Sequence, residues 1–128
     1  MENLQNKTYK HGLKVGDVLY SSWGYDQTNL DFFVIVAATE STIRIKECTM
    51  EKTKEDGVGW LCRNIAYDPK TAKPVESSWC IKDQNGKGDL KKIVWYNYNG
   101  HEYMHIRFLS NHSLRKYEGE KLYESWYA

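Results

Sequence analysis

The run Leu90-Lys91-Lys92-Ile93-Val94-Trp95-Tyr96-Asn97-Tyr98-Asn99-Gly100-His101-Glu102-Tyr103-Met104-His105-Ile106-Arg107-Phe108 sets Asn99-Gly100 between two segments rich in β-branched and aromatic residues. Asn and Gly both tolerate positive φ, so this dipeptide predicts the two-residue type I′ turn of a β-hairpin. The turn fixes the register: Tyr98 opposes His101, Tyr96 opposes Tyr103, and Val94 opposes His105. Side chains alternate along a strand, so these residues share one side of the ribbon. Ile93, Trp95, Met104, Ile106 and Phe108 fall on the other side and form the expected core face. Tyr96, Tyr98, His101, Tyr103 and His105 are left facing solvent or a partner.

The same reading extends outward in both directions. Val15-Gly16-Asp17 is a turn that launches a strand from Val18 to Trp23, and Asp31-Phe32-Phe33-Val34-Ile35-Val36-Ala37 is a continuous apolar strand able to be covered on both faces. Ile43 and Ile45 alternate with Arg44 and Lys46, so a third strand pairs with the second as a hairpin. Glu51 to Gly57 reads as a charged loop, Trp60 to Tyr67 as a strand, and Asp68 to Ser78, with both prolines, as another loop. The tail from Leu114 to Ala128 carries Tyr117, Leu122, Tyr123, Trp126 and Tyr127, too apolar to stay free, and is expected to dock back. Residues 1–12 read as a flexible N-terminal arm and 13–128 as a single domain. Many short strands with turn signals and little room for helices give an all-β, mainly antiparallel fold, most economically a small SH3-like barrel with loop insertions.

A length of 128 residues argues for one domain and against a two-domain enzyme. No apolar run approaches the ~20 residues needed to cross a bilayer, and the polar start lacks a signal core, so the expectation is a cytoplasmic protein without membrane contact. Three cysteines without CxxC spacing predict neither a disulfide framework nor a zinc knuckle. A net charge of +1 supplies no global field for phosphates, so any nucleic-acid site must be local. Ten Tyr and five Trp against three Phe give the chain amphipathic aromatics suited to burying a partner.

His101 and His105 form an HxxxH beside Glu102 and His112. On a strand the first two lie ~13 Å apart, beyond the reach of one metal ion. No Ser-His-Asp order, phosphate-binding glycine loop or HExxH occurs, so the reading assigns no catalytic residues, no metal and no cofactor. A small His-dependent hydrolase or nuclease is the weakest of three function classes. Tyr96, Tyr98 and Tyr103, interleaved with Lys82, Lys87, Lys91, Lys92, Arg107, Arg115 and Lys116, make a module for single-stranded nucleic acid or RNA the second class, the alternative for these cations being a solvated edge that discourages sheet-to-sheet pairing.

The densest polar and aromatic segment is Ser22-Trp23-Gly24-Tyr25-Asp26-Gln27-Thr28-Asn29. Either Asp26, Thr28 and Asn29 bond their own turn's amides above Trp23 and Phe32, or Tyr25, Asp26, Gln27 and Asn29 project donors and acceptors toward a ligand. Val15-Gly16-Asp17 with this SWGYDQTN run, and the closing Ser125-Trp126-Tyr127-Ala128, resemble a group of short proteins encoded by bacteriophages, prophages and plasmids. The resemblance implies a mobile-element origin and brings no catalytic assignment. The leading expectation is stoichiometric, non-enzymatic binding to a host protein, such as a defence or nucleic-acid-processing factor that it would inhibit. The candidate contacts are Tyr25, Asp26, Gln27 and Asn29 in the loop and Tyr96, Tyr98, His101, Tyr103 and His105 on the hairpin.

Overall fold

The computed structural model describes residues 9–23, 29–59, 61–75, 87–109 and 112–125. All the elements among them are strands: β1 (Val18–Trp23), β2 (Asn29–Ala38), β3 (Thr42–Gly59), β4 (Cys62–Pro74), β5 (Asp89–Tyr98), β6 (His101–Leu109), β7 (His112–Ser113), β8 (Arg115–Tyr117) and β9 (Leu122–Ser125). Every pairing is antiparallel. No helix among the described residues is long and apolar enough to cross a membrane.

β2 is the centre of the fold because both of its faces are apolar. Phe33 and Ile35 enter one core with Leu13, Leu19, Ile43, Ile45, Ile93, Ile106 and Leu114. The alternate residues Phe32, Val34 and Val36 enter a second core with Val18, Cys48, Tyr67, Tyr117 and Leu122. The period of two thus sends successive side chains of one strand into different layers. β3 makes the second layer possible. Its first third pairs with β2 and β5, and from Cys48 onward it leaves them to pair with β4, which in turn pairs with β9. The aromatic packing of the second core is edge-on, with the Phe32 ring centroid 5.1 Å from Tyr67 and 5.2 Å from Tyr117.

The ladders run β7-β6-β5-β3-β2-β1-β8. The sheet is not closed: β7 and β8 are its two ends, and no ladder joins them among the described residues. They are nevertheless separated by a single residue, Leu114, whose side chain is buried in the first core and whose amide donates to the Ile106 carbonyl at 2.8 Å.

Two segments expected as loops, Glu51 to Gly57 and Asp68 to Ser78, form instead the long β3–β4 hairpin as far as Pro74. Bulges between Thr49 and Glu51, Lys52 and Lys54, and Gly57 and Gly59 break the alternation that would have announced strands. Pro69 sits in the irregular stretch between Asp68, opposite Glu51, and Lys73, opposite Thr49. There the Lys70 amide donates to Asp68 Oδ1 at 3.0 Å and the Glu51 amide to Thr71 Oγ1 at 2.8 Å, so side chains take over the ladder's work and a proline is accommodated. The hairpin's charges pair within it and with residues at β9. Arg63 bonds both Glu55 and Glu124, and Lys121 meets Asp56. Hydrogen bonds from Lys52 and Arg63 hold the Glu55 carboxyl below the usual carboxylate range.

Of the segment read as a flexible arm, residues 1–8 lie outside the described residues and residues 9–12 pack on the sheet. The Leu13 amide donates to His11 Nδ1 at 2.9 Å, so Nε2 carries the proton and donates to the Thr39 carbonyl at 2.7 Å. Lys10 Nζ lies 4.4 Å from the centroid of the Trp95 ring. The expected turn before β1 forms as read, with Gly16 at φ +97° and the Lys14 amide bonded to Asp17 Oδ2 at 3.1 Å.

Candidate binding surface

Asn99 (φ 52°) and Gly100 (φ 80°) form the expected turn with both residues at positive φ. The register follows from it: Tyr98 opposes His101, Tyr96 opposes Tyr103, Val94 opposes His105, and Ile93 opposes Ile106. The base of this ribbon is held. β3 pairs with β5 through Lys92 and no further, and β7 pairs with β6 at Arg107 and Leu109. Beyond Ile93 and Ile106, the described residues form a two-stranded ribbon with neither edge in a ladder.

The five hairpin residues singled out from the sequence lie together on one face of that ribbon. Tyr96, Tyr98 and Tyr103 are 53%, 68% and 53% exposed, His101 is exposed, and His105 is half-buried. His105 stands edge-on to Tyr96, with ring centroids 5.8 Å apart and planes at 73°, which fixes both rings without covering them. Register also places Lys92 and Arg107, both exposed, on this face at its base. Both are among the cations that the sequence sets beside the tyrosines, and alternation puts them on the tyrosine face. Glu102 belongs to the opposite face, where it pairs with Lys10. From Lys92 to Tyr98 and from His101 to Arg107, therefore, this face carries no carboxylate.

The opposite face is only partly core. Ile93 and Ile106 are buried and Trp95 packs partly against them, but Met104 is 37% exposed. Burial ends where the ribbon outruns the sheet beneath it, which corrects the expectation for Met104. The Phe108 side chain lies outside the described residues. So do Tyr25, Asp26 and Gln27 of the other candidate segment, while Asn29 is described only as the first backbone position of β2.

Among the described residues, no three His, Cys, Asp or Glu side chains converge as a metal would require. Cys48 and Cys62 are free thiols. Cys48 lies in the second core, where burial, and to a smaller extent the Glu47 charge, pushes its pKa up to about 12. A neutral buried thiol is a packing group and a poor nucleophile. What the ribbon can do chemically is bury aromatic area and offer phenol and imidazole hydrogen bonds, with two cations at one end. No family model, curated protein or solved structure matches the chain.

Proposed function

We propose that this protein is a non-enzymatic binding module that acts stoichiometrically on a host protein through the outward face of the β5–β6 ribbon. The observation that carries this reading is the set of three tyrosines, each more than half exposed, aligned on one face of a ribbon whose base is anchored in the sheet. The centre of that face holds Val94, tyrosines and histidines without a fixed charge, the composition of an interface core, where aromatic anchors dominate binding energy. The scaffold we infer is SH3-like, a reading supported by the way residues 112–117 reach from β6 at one end to β1 at the other. The resemblance of SWGYDQTN to proteins of phages, prophages and plasmids supports a mobile-element origin and, with it, an anti-defence role in the host cytoplasm.

A single strand of nucleic acid is the second reading. It is favoured by Lys92 and Arg107, both at the base of the same face, and by the absence of carboxylates along it. Cations beside stacked rings are how single strands are held without sequence preference.

Both readings meet one experiment: capture of partners from host lysate by the tagged chain, with and without nuclease treatment, compared for wild type and Tyr98→Ala/Tyr103→Ala. A protein that survives nuclease and is lost from the tyrosine variant, at an unchanged melting midpoint, is the expected result. Loss of all capture after nuclease, together with a steep salt dependence, would replace it with the nucleic-acid reading. Equal capture by the folded tyrosine variant would overturn the assignment of this face.

A further inference from the structure

Between the two layers, where β1 and β8 face β9, lies a cavity of about 380 Å³, within the range of small-molecule sites. Tyr20 and Ser22 of β1, Leu30 of β2, Arg115 of β8, and Leu122 and Tyr123 of β9 line it, and Ser113 enters beside Arg115. Its back wall is fixed. The Tyr20 ring lies 6.5 Å from Phe32 and edge-on to Tyr117 at 5.9 Å, and Leu122 packs into the second core. The rim is exposed at Arg115 and Tyr123.

The described arginines divide into two kinds. Arg63 is held by Glu55 and Glu124, and Arg44 donates to the Gly88 carbonyl at 3.0 Å. Arg107 and Arg115 make no ion pair among the described residues, and they are neighbours. Arg107 is the cross-strand partner of Ser113, and Arg115 follows Ser113 by two residues on the same side, because Leu114 between them turns into the core. Arg115 in turn sits directly opposite Tyr20. No carboxylate is among the described lining residues. A lining guanidinium without an ion pair among the described residues, with Arg107 across from the lining Ser113, beside hydroxyls and a leucine-lined wall, meets the needs of a phosphate ester bearing a planar ring.

We infer that this cavity binds a nucleoside phosphate. The phosphate sits at Arg115 with Arg107 as a second donor, Ser22 and Ser113 supply hydroxyls, and the ring lies against Leu30, Leu122 and Tyr123. The inference does not rest on the protein-binding reading of the ribbon, although Arg107 stands at the base of the same face. The same chemistry is offered by a free nucleotide and by a nucleotide unit of a strand.

The test is calorimetric titration of the full chain with AMP, adenosine and a short oligoadenylate. AMP is expected to bind with a Kd between about 10 μM and 1 mM, and adenosine about tenfold or more weaker. Arg115→Gln should weaken AMP by about tenfold or more and Arg107→Gln by about threefold, while Tyr98→Ala should bind AMP as wild type does. Oligoadenylate binding more tightly than AMP, with both weakened by Arg115→Gln, identifies the strand as the source. AMP binding as well as the oligomer identifies the free nucleotide. Absence of binding by both, or adenosine equal to AMP, overturns the proposal. Tyr123→Ala at the exposed rim is the second variant should Arg115→Gln lower the melting midpoint: a loss of about threefold supports the site, and wild-type binding overturns it.

Discussion

The hydroxyl of Tyr117 in β8 accepts the backbone amide hydrogen of Tyr67 in β4 at 2.8 Å and donates its own to the Glu120 carbonyl at 2.7 Å. The ring is buried in the second core, and that burial raises its pKa above the ordinary phenol value, opposed in part by the bond from the Tyr67 amide. One side chain thereby ties the edge of the first layer to the second.

Tyr117→Phe keeps the ring and strands the Tyr67 amide. Its expected cost is about 1–3 kcal/mol, read as a lower denaturation midpoint at an unchanged circular dichroism spectrum. A loss no larger than that of Tyr98→Phe, an exposed control, would show that this bond does not hold the layers.

Gly88 is at φ +91°, and a Cβ built there would meet Val36 Cγ2 at 2.9 Å and the Ile45 carbonyl oxygen at 3.1 Å. Gly88→Ala therefore suffers both left-handed strain and a clash with backbone, together about 2–4 kcal/mol. Gly100 is also at positive φ but faces open space. Gly100→Ala should lose only about 1–2 kcal/mol. Urea denaturation of the two variants checks the order, and equal losses would remove the close approach as a cause.

The ribbon's two faces should separate by mutation. Ile106→Ala, fully enclosed, is expected to cost about 2–5 kcal/mol, and Trp95→Ala, half-buried, about 2 kcal/mol, below the ~3–5 of an enclosed indole. Tyr98→Ala and Met104→Ala should stay within about 0.5 kcal/mol of wild type, as exposed positions do. Comparable melting losses in Tyr98→Ala and Ile106→Ala would contradict the face assignment.

Alkaline pH should act through Cys48, whose pKa rises from 9.0 to about 12 on burial. The folded state then keeps a proton that the unfolded chain releases. The resulting stability is whole below pH 9.0 and is lost progressively as pH climbs toward 12. Tyr67 and Tyr117, also raised by burial, act with the same sign. Cys48→Ala should flatten this alkaline decline. In native protein at neutral pH Cys48 should resist iodoacetamide and react only in denaturant, as peptide mapping would show; labelling at a free-thiol rate would place it in an open cleft.

Legibility in the sequence followed how local the determinants are. Asn99-Gly100 carries the whole register of β5 and β6 in two adjacent residues, and with it the shared face of Tyr96, Tyr98, His101, Tyr103 and His105. The unbroken run of β2 announced its two covered faces. β3 and β4 were obscured because Lys52, Lys54, Glu55 and Asp56 are exposed on the strand and bulges shift its period. The cavity at Arg115 was beyond reach for another reason. Its lining comes from β1, β2, β8 and β9, and no local pattern marks residues that only the completed fold assembles.

The pairing of β1 with β8 also governs how the fold can be made on a ribosome. Val18 lies against Tyr117, and Tyr20 against Arg115. A nascent chain must therefore hold β1 without its second neighbour until residues 115–117 have emerged, a contact spanning roughly a hundred residues. The β2–β3 and β5–β6 hairpins can form while synthesis continues, but both cores stay open until Leu114 and Tyr117 arrive. Cooperative, late and comparatively slow completion follows, with the apolar residues of β2 exposed to chaperones in the interval.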